Sequence, residues 1–135
     1  MENITIILNT IPRTKKNQGQ IVRMKNGRSI LLPSKLYLAY EKECGNILPS
    51  QYKNLKINKP VNICCIFYCQ SKRKIDLPNL LNAVDDMFVK YQVVEDDNRN
   101  IIAGHDGSRV YYDKLNPRIE IIISEINENE NYTQW

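Results

Sequence analysis

The sequence predicts an α+β fold: one compact domain with a mixed sheet and two main helices. Three observations carry this. The chain has 135 residues, 42% of them hydrophobic, which suits one buried core without disulfides or a structural metal. Short runs rich in β-branched residues recur along it. Two intervening segments space their apolar residues as a helix does, and no repeat or compositional break marks a second domain.

The elements follow in order. Ile4 to Leu8, ITIIL, reads as a strand. The loop IPRTKKNQGQ carries Arg13, Lys15 and Lys16. QIVRMKNGRSILLP reads as a hairpin turning at KNGR, because Asn26-Gly27 tolerates the positive φ of a tight turn. Ser34 is placed to cap a helix running to about Leu48, with Leu36, Ala39, Tyr40, Cys44 and Ile47 at helical spacing. Residues 49–59 are polar and read as loop. Pro60 opens VNICCIFYC, a central strand, and QSKRK is a short basic loop after it. In the next helix Leu80, Leu81, Val84, Met87 and Phe88 share one face. Asn79, Asn82, Asp86 and Lys90 form the opposite stripe, with Asp85 to one side. The helix should end near Tyr91. VVEDDN is an extended piece and turn. NIIAG, SRVYY and RIEIIISEI are strands, with HDG as the turn between the first two. Residues 1–125 make the domain, and 126–135 are expected to be a disordered polar tail.

Several classes are set aside at this stage. No apolar run approaches the ~20 residues of a membrane helix. MENITIILNT lacks the basic start and small-residue cleavage site of a signal peptide, so a cytoplasmic protein is expected. Cys44, Cys64, Cys65 and Cys69 show no zinc-ligand spacing and read as reduced thiols acting as small hydrophobes.

Charge is unevenly spread. Net charge is +4. Of the 15 acidic residues, Glu125, Glu128 and Glu130 lie in a tail without Lys or Arg, leaving 12 acidic against all 19 basic residues in the body. Seven of those twelve fall between Asp76 and Asp106. A basic surface around an acidic focus suits a polyanion partner and a bound cation. Each acid also has a plain structural role. Asp76 can cap the second helix, with Pro78 in its first turn. EDDN can be a turn, and Asp86 can be an exposed helix carboxylate. Taken together, hard carboxylate oxygens are what Mg²⁺ prefers, and metal-dependent nucleases use several at one scissile phosphate.

KRKIDLPNLLNAVDDMFVKYQVVEDDN resembles the central motif of the RusA family of Holliday-junction resolvases. That pattern is a basic run, Asp-x-Asp-Asn-Leu at a helix start, a Lys four residues after the second Asp, an Asp within the helix, and a later Asp-Asp pair. PRTKKNQ, the helix near Ser34 and the strand after NPR fit the family layout, so the resemblance covers nearly the whole chain except the tail. It implies a RusA-like homodimer that binds a four-way DNA junction. The dimer would make paired, Mg²⁺-dependent nicks, with Mn²⁺ as a substitute, in recombination and repair, often in a phage or prophage setting. It makes Asp76, Asp97 and Asp86 the candidate catalytic metal ligands, with Asn79 and Asp96 in support.

Two positions depart from the pattern: Pro78 stands for the second Asp and Asn82 for the Lys. Asp86, Asp96 or Asp106 could replace the carboxylate, and Lys72, Lys74 or Lys90 the cation. The alternative is a junction-binding dimer that cleaves poorly or not at all. Arg13, Lys15, Lys16, Lys72, Arg73 and Lys74 are the expected phosphate contacts. His105 and Asp106 read as a hairpin turn that could add a carboxylate or a proton-transfer imidazole. Tyr111 and Tyr112 are expected to pack.

Overall fold

Val61–Cys69 alternates buried and half-buried residues, with Val61, Ile63, Cys65 and Phe67 turned to the core. A strand paired on both edges and covered on one face reads this way. The computed structural model describes residues 1–15, 20–32 and 34–126. In chain order it has β1 (Ile4–Leu8), β2 (Gln20–Arg23), β3 (Ser29–Leu32), α1 (Lys35–Ile47), β4 (Val61–Cys69), α2 (Leu77–Lys90), β5 (Ile102–Gly104), β6 (Arg109–Tyr112) and β7 (Arg118–Glu125). A 3-10 turn at Ser50–Tyr52 interrupts the expected loop.

The five-stranded mixed sheet has β4 at its centre. On one edge β4 pairs antiparallel with β7, which pairs with β1. On the other edge it pairs in parallel with β5 and then β6. A parallel return needs a crossover, and α2 supplies it. β2 and β3 form a separate hairpin, with Gly27 at φ +84° in the turn.

The core lies between the sheet and the two helices. Leu80, Ala83, Val84, Met87 and Phe88 of α2 are buried against β-strand residues such as Ile63, Phe67 and Ile121. Leu81 is only partly buried. The buried stripe of α1 is Tyr37, Tyr40, Cys44 and Leu48. That is rotated from the expected face: Leu36 and Ile47 are exposed, because the large Tyr37 ring takes the inward position. Ser34 caps α1 as expected, its Oγ accepting from the Tyr37 amide at 3.1 Å. All four cysteines are free.

The expected hairpin at HDG is not there. β5 and β6 do not pair with each other; they follow one another along the same edge of β4. Residues 105–108 are an outward step in what is otherwise one edge strand, and side chains replace the missing ladder bonds. Asn62 Oδ1 accepts from the Asp106 amide at 2.7 Å and its Nδ2 donates to the Asp106 carbonyl at 3.1 Å. Ser108, itself buried, accepts the Cys65 amide on Oγ at 3.0 Å. Gly107 takes φ +87°, a region costly for other residues. Tyr111 and Tyr112 are about half exposed, resting on Tyr68 and under Lys72 respectively. Residues 127–135 of the expected tail lie outside the described residues, whereas Ile126 still donates to the Pro60 carbonyl at 3.0 Å.

Ser108→Ala should strand the buried Cys65 amide. A loss of about 1–3 kcal/mol in urea-denaturation stability is expected, and an unchanged midpoint would mean that the step is held otherwise.

Candidate active site

Two adjoining pockets open along α2. One, of about 330 Å³, is lined by Lys15, Asn79, Asn82, Ala83, Asp85, Asp86 and Asp97. The other, of about 440 Å³, includes Arg13, Arg73, Lys74 and Asp76 and shares Asn79 with the first.

The acidic pocket gathers residues far apart in sequence. Asp85 and Asp86 come from the middle of α2, beside the buried Val84 and Met87 that orient the helix. Asp97 reaches them because the chain folds back after Tyr91. Gln92 takes φ 54°, Val93 donates to the Phe88 carbonyl at 2.9 Å, and the fully buried Val93 and Val94 pin the return. Ile57 and Glu95 continue it, with amide donation from Glu95 to the Ile57 carbonyl at 2.9 Å. Lys15 arrives from the loop after β1, which Thr10 ties to α1 through its hydroxyl on Glu43 at 2.9 Å. Its ammonium lies 5.7 Å from the Tyr37 ring centre and donates to Asp86 Oδ2 at 2.6 Å.

Asp76 occupies the N-cap position of α2, as expected, but makes no side-chain capping bond to the helix backbone. Its Oδ2 accepts from Asn79 Nδ2 at 3.2 Å. It therefore lines the basic pocket, while Asp86 and Asp97 line the acidic one. Asn82 faces the acidic pocket, and Lys15 brings the ammonium there. Of the other candidates, Lys90 pairs with Glu41 on α1 at 2.5 Å. Asp96 accepts from Asn98 at 2.8 Å, a bond that holds its carboxyl below the ordinary value. Asp106 is engaged through its backbone with Asn62. None of these three lines either pocket. Lys72 lies over the Tyr112 ring at 5.2 Å. Lys16 lies outside the described residues.

The residue that sequence reasoning missed is Asp85, together with its partner. Its Oδ2 lies 2.9 Å from His105 Nε2, and His105 Nδ1 lies 2.8 Å from the Ile63 carbonyl. A carbonyl only accepts, so Nδ1 carries a proton. Both ring nitrogens are thus engaged, and the imidazole has none free to take a proton from water. The proton-transfer role raised for His105 does not fit this geometry. Asp85 Oδ1 is buried without a hydrogen-bond partner among the described residues.

Burial pushes the Asp85 carboxyl above its ordinary value. The His105 hydrogen bond and charge offset part of this, and Asp97 and Asp86 add to the rise. For His105 burial acts downward, but the hydrogen bond and charge of Asp85, with the Ile63 carbonyl, outweigh it and hold the imidazole above its ordinary value.

Carboxylates beside a groove lined by arginine and lysine are the general layout of a surface suited to a polyanion. Comparison with known families sharpens this. The model of the endodeoxyribonuclease RusA matches residues 10–124, and the chain belongs to the RusA endodeoxyribonuclease family. No curated protein matches the chain.

Nucleases of this family are generally dependent on a divalent metal. Among the described residues no three ligating side chains are gathered closely enough to hold an ion by themselves. The donor set still fits Mg²⁺, which takes one or two carboxylates and completes its shell with water and substrate phosphate. The unpartnered Asp85 Oδ1 is a further acceptor in want of a positive partner.

The His105–Asp85 pair has a consequence for metal-free protein. Both folded-state values lie above the ordinary ones, 6.5 and 3.8, so the folded state binds protons more tightly than the unfolded chain. Stabilisation from protonated His105 is complete below about 6.5 and is lost as pH rises through its raised value. In EDTA the urea midpoint should therefore fall as pH climbs above about 6.5, and His105→Leu should flatten that dependence. A wild-type curve as flat as that of the variant would contradict the pair.

Proposed function

We propose that this chain is a Mg²⁺-dependent, structure-selective endonuclease that acts as a homodimer and resolves four-way DNA junctions by paired nicks. The observation that supports it best is the adjacency of the two pockets. Arg13, Arg73 and Lys74 line a groove that shares Asn79 with a pocket holding Asp86 and Asp97. A DNA strand whose phosphates lie in the basic groove would carry its next phosphate past Asn79 to the carboxylates.

In this reading Asp86 and Asp97 hold the cation, and Asp76 supports it from the groove side through Asn79. When bound, Mg²⁺ would lower the pKa of a water and stabilise charge on the scissile phosphate. The chain's own residues do the rest. Arg13, Arg73 and Lys74 neutralise neighbouring phosphates and fix the strand. Lys15 carries the ammonium that position 82 lacks, and near the phosphate it would stabilise the charge that develops there. Paired nicks need two such sites, which a twofold dimer supplies.

A synthetic four-way junction with and without Mg²⁺ tests this. Paired nicks are expected in Mg²⁺ or Mn²⁺, none in EDTA, and none from Asp97→Asn. Lys15→Ala should lower the rate by roughly 100-fold while leaving junction binding measurable. Tight binding without nicks in either metal would instead mean a binding protein, with Pro78 and Asn82 marking a lost activity.

Binding itself has a separate signature. Measured in EDTA, log affinity against log salt should be steep, and Arg13→Ala, Arg73→Ala and Lys74→Ala should each flatten the slope by about 0.9. Slopes unchanged in all three variants would remove the groove from the DNA path.

A further inference from the structure

We propose that the β2–β3 hairpin is a second DNA-contacting element, and that it reads the branch point of the junction. Arg23, Lys25 and Arg28 take phosphates, while Ile21 and Leu31 lie on base-pair faces left open where stacking is interrupted. This rests on the junction-DNA reading and names the feature that separates a junction from plain duplex.

The hairpin lacks a cover of its own. β2 and β3 pair only with each other, over four residues on each strand. Among the described residues, no side chain from 21 to 32 belongs to the core or packs against it. A two-stranded hairpin left this way is marginal in water. Its apolar residues are nonetheless turned outward. Ile21 and Leu31 stand directly opposite each other in the register, so both project from one face, 78% and 74% exposed. Ile30, the next residue along β3, is exposed on the other face. An apolar patch rimmed by charge marks a surface that meets a partner.

Charge identifies that partner. Arg23, Lys25 and Arg28 are exposed around the turn, and none is ion-paired among the described residues. No acidic residue stands between Glu2 and Glu41 in the chain. A second copy of the hairpin would meet cations at both ends, since Lys15 and Lys35 flank the base, and like charge disfavours that pairing. DNA meets the same surface with opposite charge. The placement agrees. Thr14 before the hairpin, and Ser34 and Leu36 after it, line the basic groove. The hairpin is thus rooted at the groove's rim, and its strands reach roughly 13 Å from there.

Phosphates satisfy the cations but offer nothing to Ile21 and Leu31. The apolar surface of DNA is the flat face of its base pairs, closed in continuous duplex and open where arms meet. Leu and Ile are among the side chains that proteins set against base steps in this way.

Binding of the full-length chain to a four-way junction and to duplex of the same arm sequence, in EDTA, tests this by fluorescence anisotropy. The double variant Ile21→Ser with Leu31→Ser should lose at least about tenfold in junction affinity, with duplex affinity, salt slope and melting temperature held. Met at both positions keeps the apolar contact and should keep the preference for the junction. Arg23→Ala, Lys25→Ala and Arg28→Ala should each flatten the salt slope by about 0.9. A 2-aminopurine at the branch point should change its fluorescence with wild-type chain and not with the Ser variant. Equal losses on junction and duplex, or no loss on either, overturn the proposal. So does a Ser variant that sediments as a monomer where wild type is a dimer, which would make the hairpin an interface between copies. Wild type separates the two levels. If it prefers the junction and the Ser variant prefers it equally, this inference alone fails. If wild type shows no preference for the junction, the junction reading fails with it.

Discussion

β4 is hydrogen-bonded along both edges at once, and the site residues on α2 and on the segments flanking it take their positions from that constraint. β7 occupies one edge antiparallel; β5 and β6 occupy the other in parallel. A parallel neighbour cannot be reached by a tight turn, so the chain must leave the end of β4, cross the sheet face and return. The exit is the basic loop 70–76, the crossing is α2, and the return is the segment that carries Asp97. Basic residues, helix carboxylates and the returning carboxylate are thereby brought to one side of the molecule. The same double pairing forces a solution where the edge strand steps outward. The buried Cys65 amide still needs an acceptor there, and Ser108 provides it.

Much of this was legible in the sequence because it depends on local signals. β1, the β2–β3 hairpin, the Ser34 cap, the apolar strand after Pro60 and the extent of α2 all follow from side-chain period and turn chemistry. What failed was non-local. HDG looks like any hairpin turn, and nothing in its neighbours says that the strands on either side bond to a third strand instead of to each other. The face of α1 was misjudged by one position because Leu36 and Tyr37 are both apolar, and only packing decides which ring goes inside.

The candidate site divides in the same way. Asp86 and Asp97 were readable from the motif, and the structure brings them to one pocket. Asp76 was readable too, but a helix rises only about 1.5 Å per residue, so the start and middle of α2 lie in different pockets. Lys15 was assigned to DNA phosphates as part of a basic loop, and its place beside Asp86 depends on Thr10 and Tyr37 holding that loop. Asp85 carried a faint signal, since the helical wheel set it between the apolar and polar faces. Its partner lies 20 residues away, across the step in the edge strand. No local pattern links the two.

The pocket's charges also explain why it can be acidic without unfolding the chain around it. Three carboxylates meet Lys15 and His105, and these two are held very differently. Lys15 is about half exposed on a flexible stem, and its pair with Asp86 is a surface ion pair. Such pairs are worth at most about 1 kcal/mol, so the ammonium can leave Asp86 for a phosphate at little cost. His105 is fixed through both nitrogens, and its backbone is clamped to β4. It cannot follow a substrate. One partner of the carboxylates is thus held by a surface pair that can exchange, and the other is built into the fold.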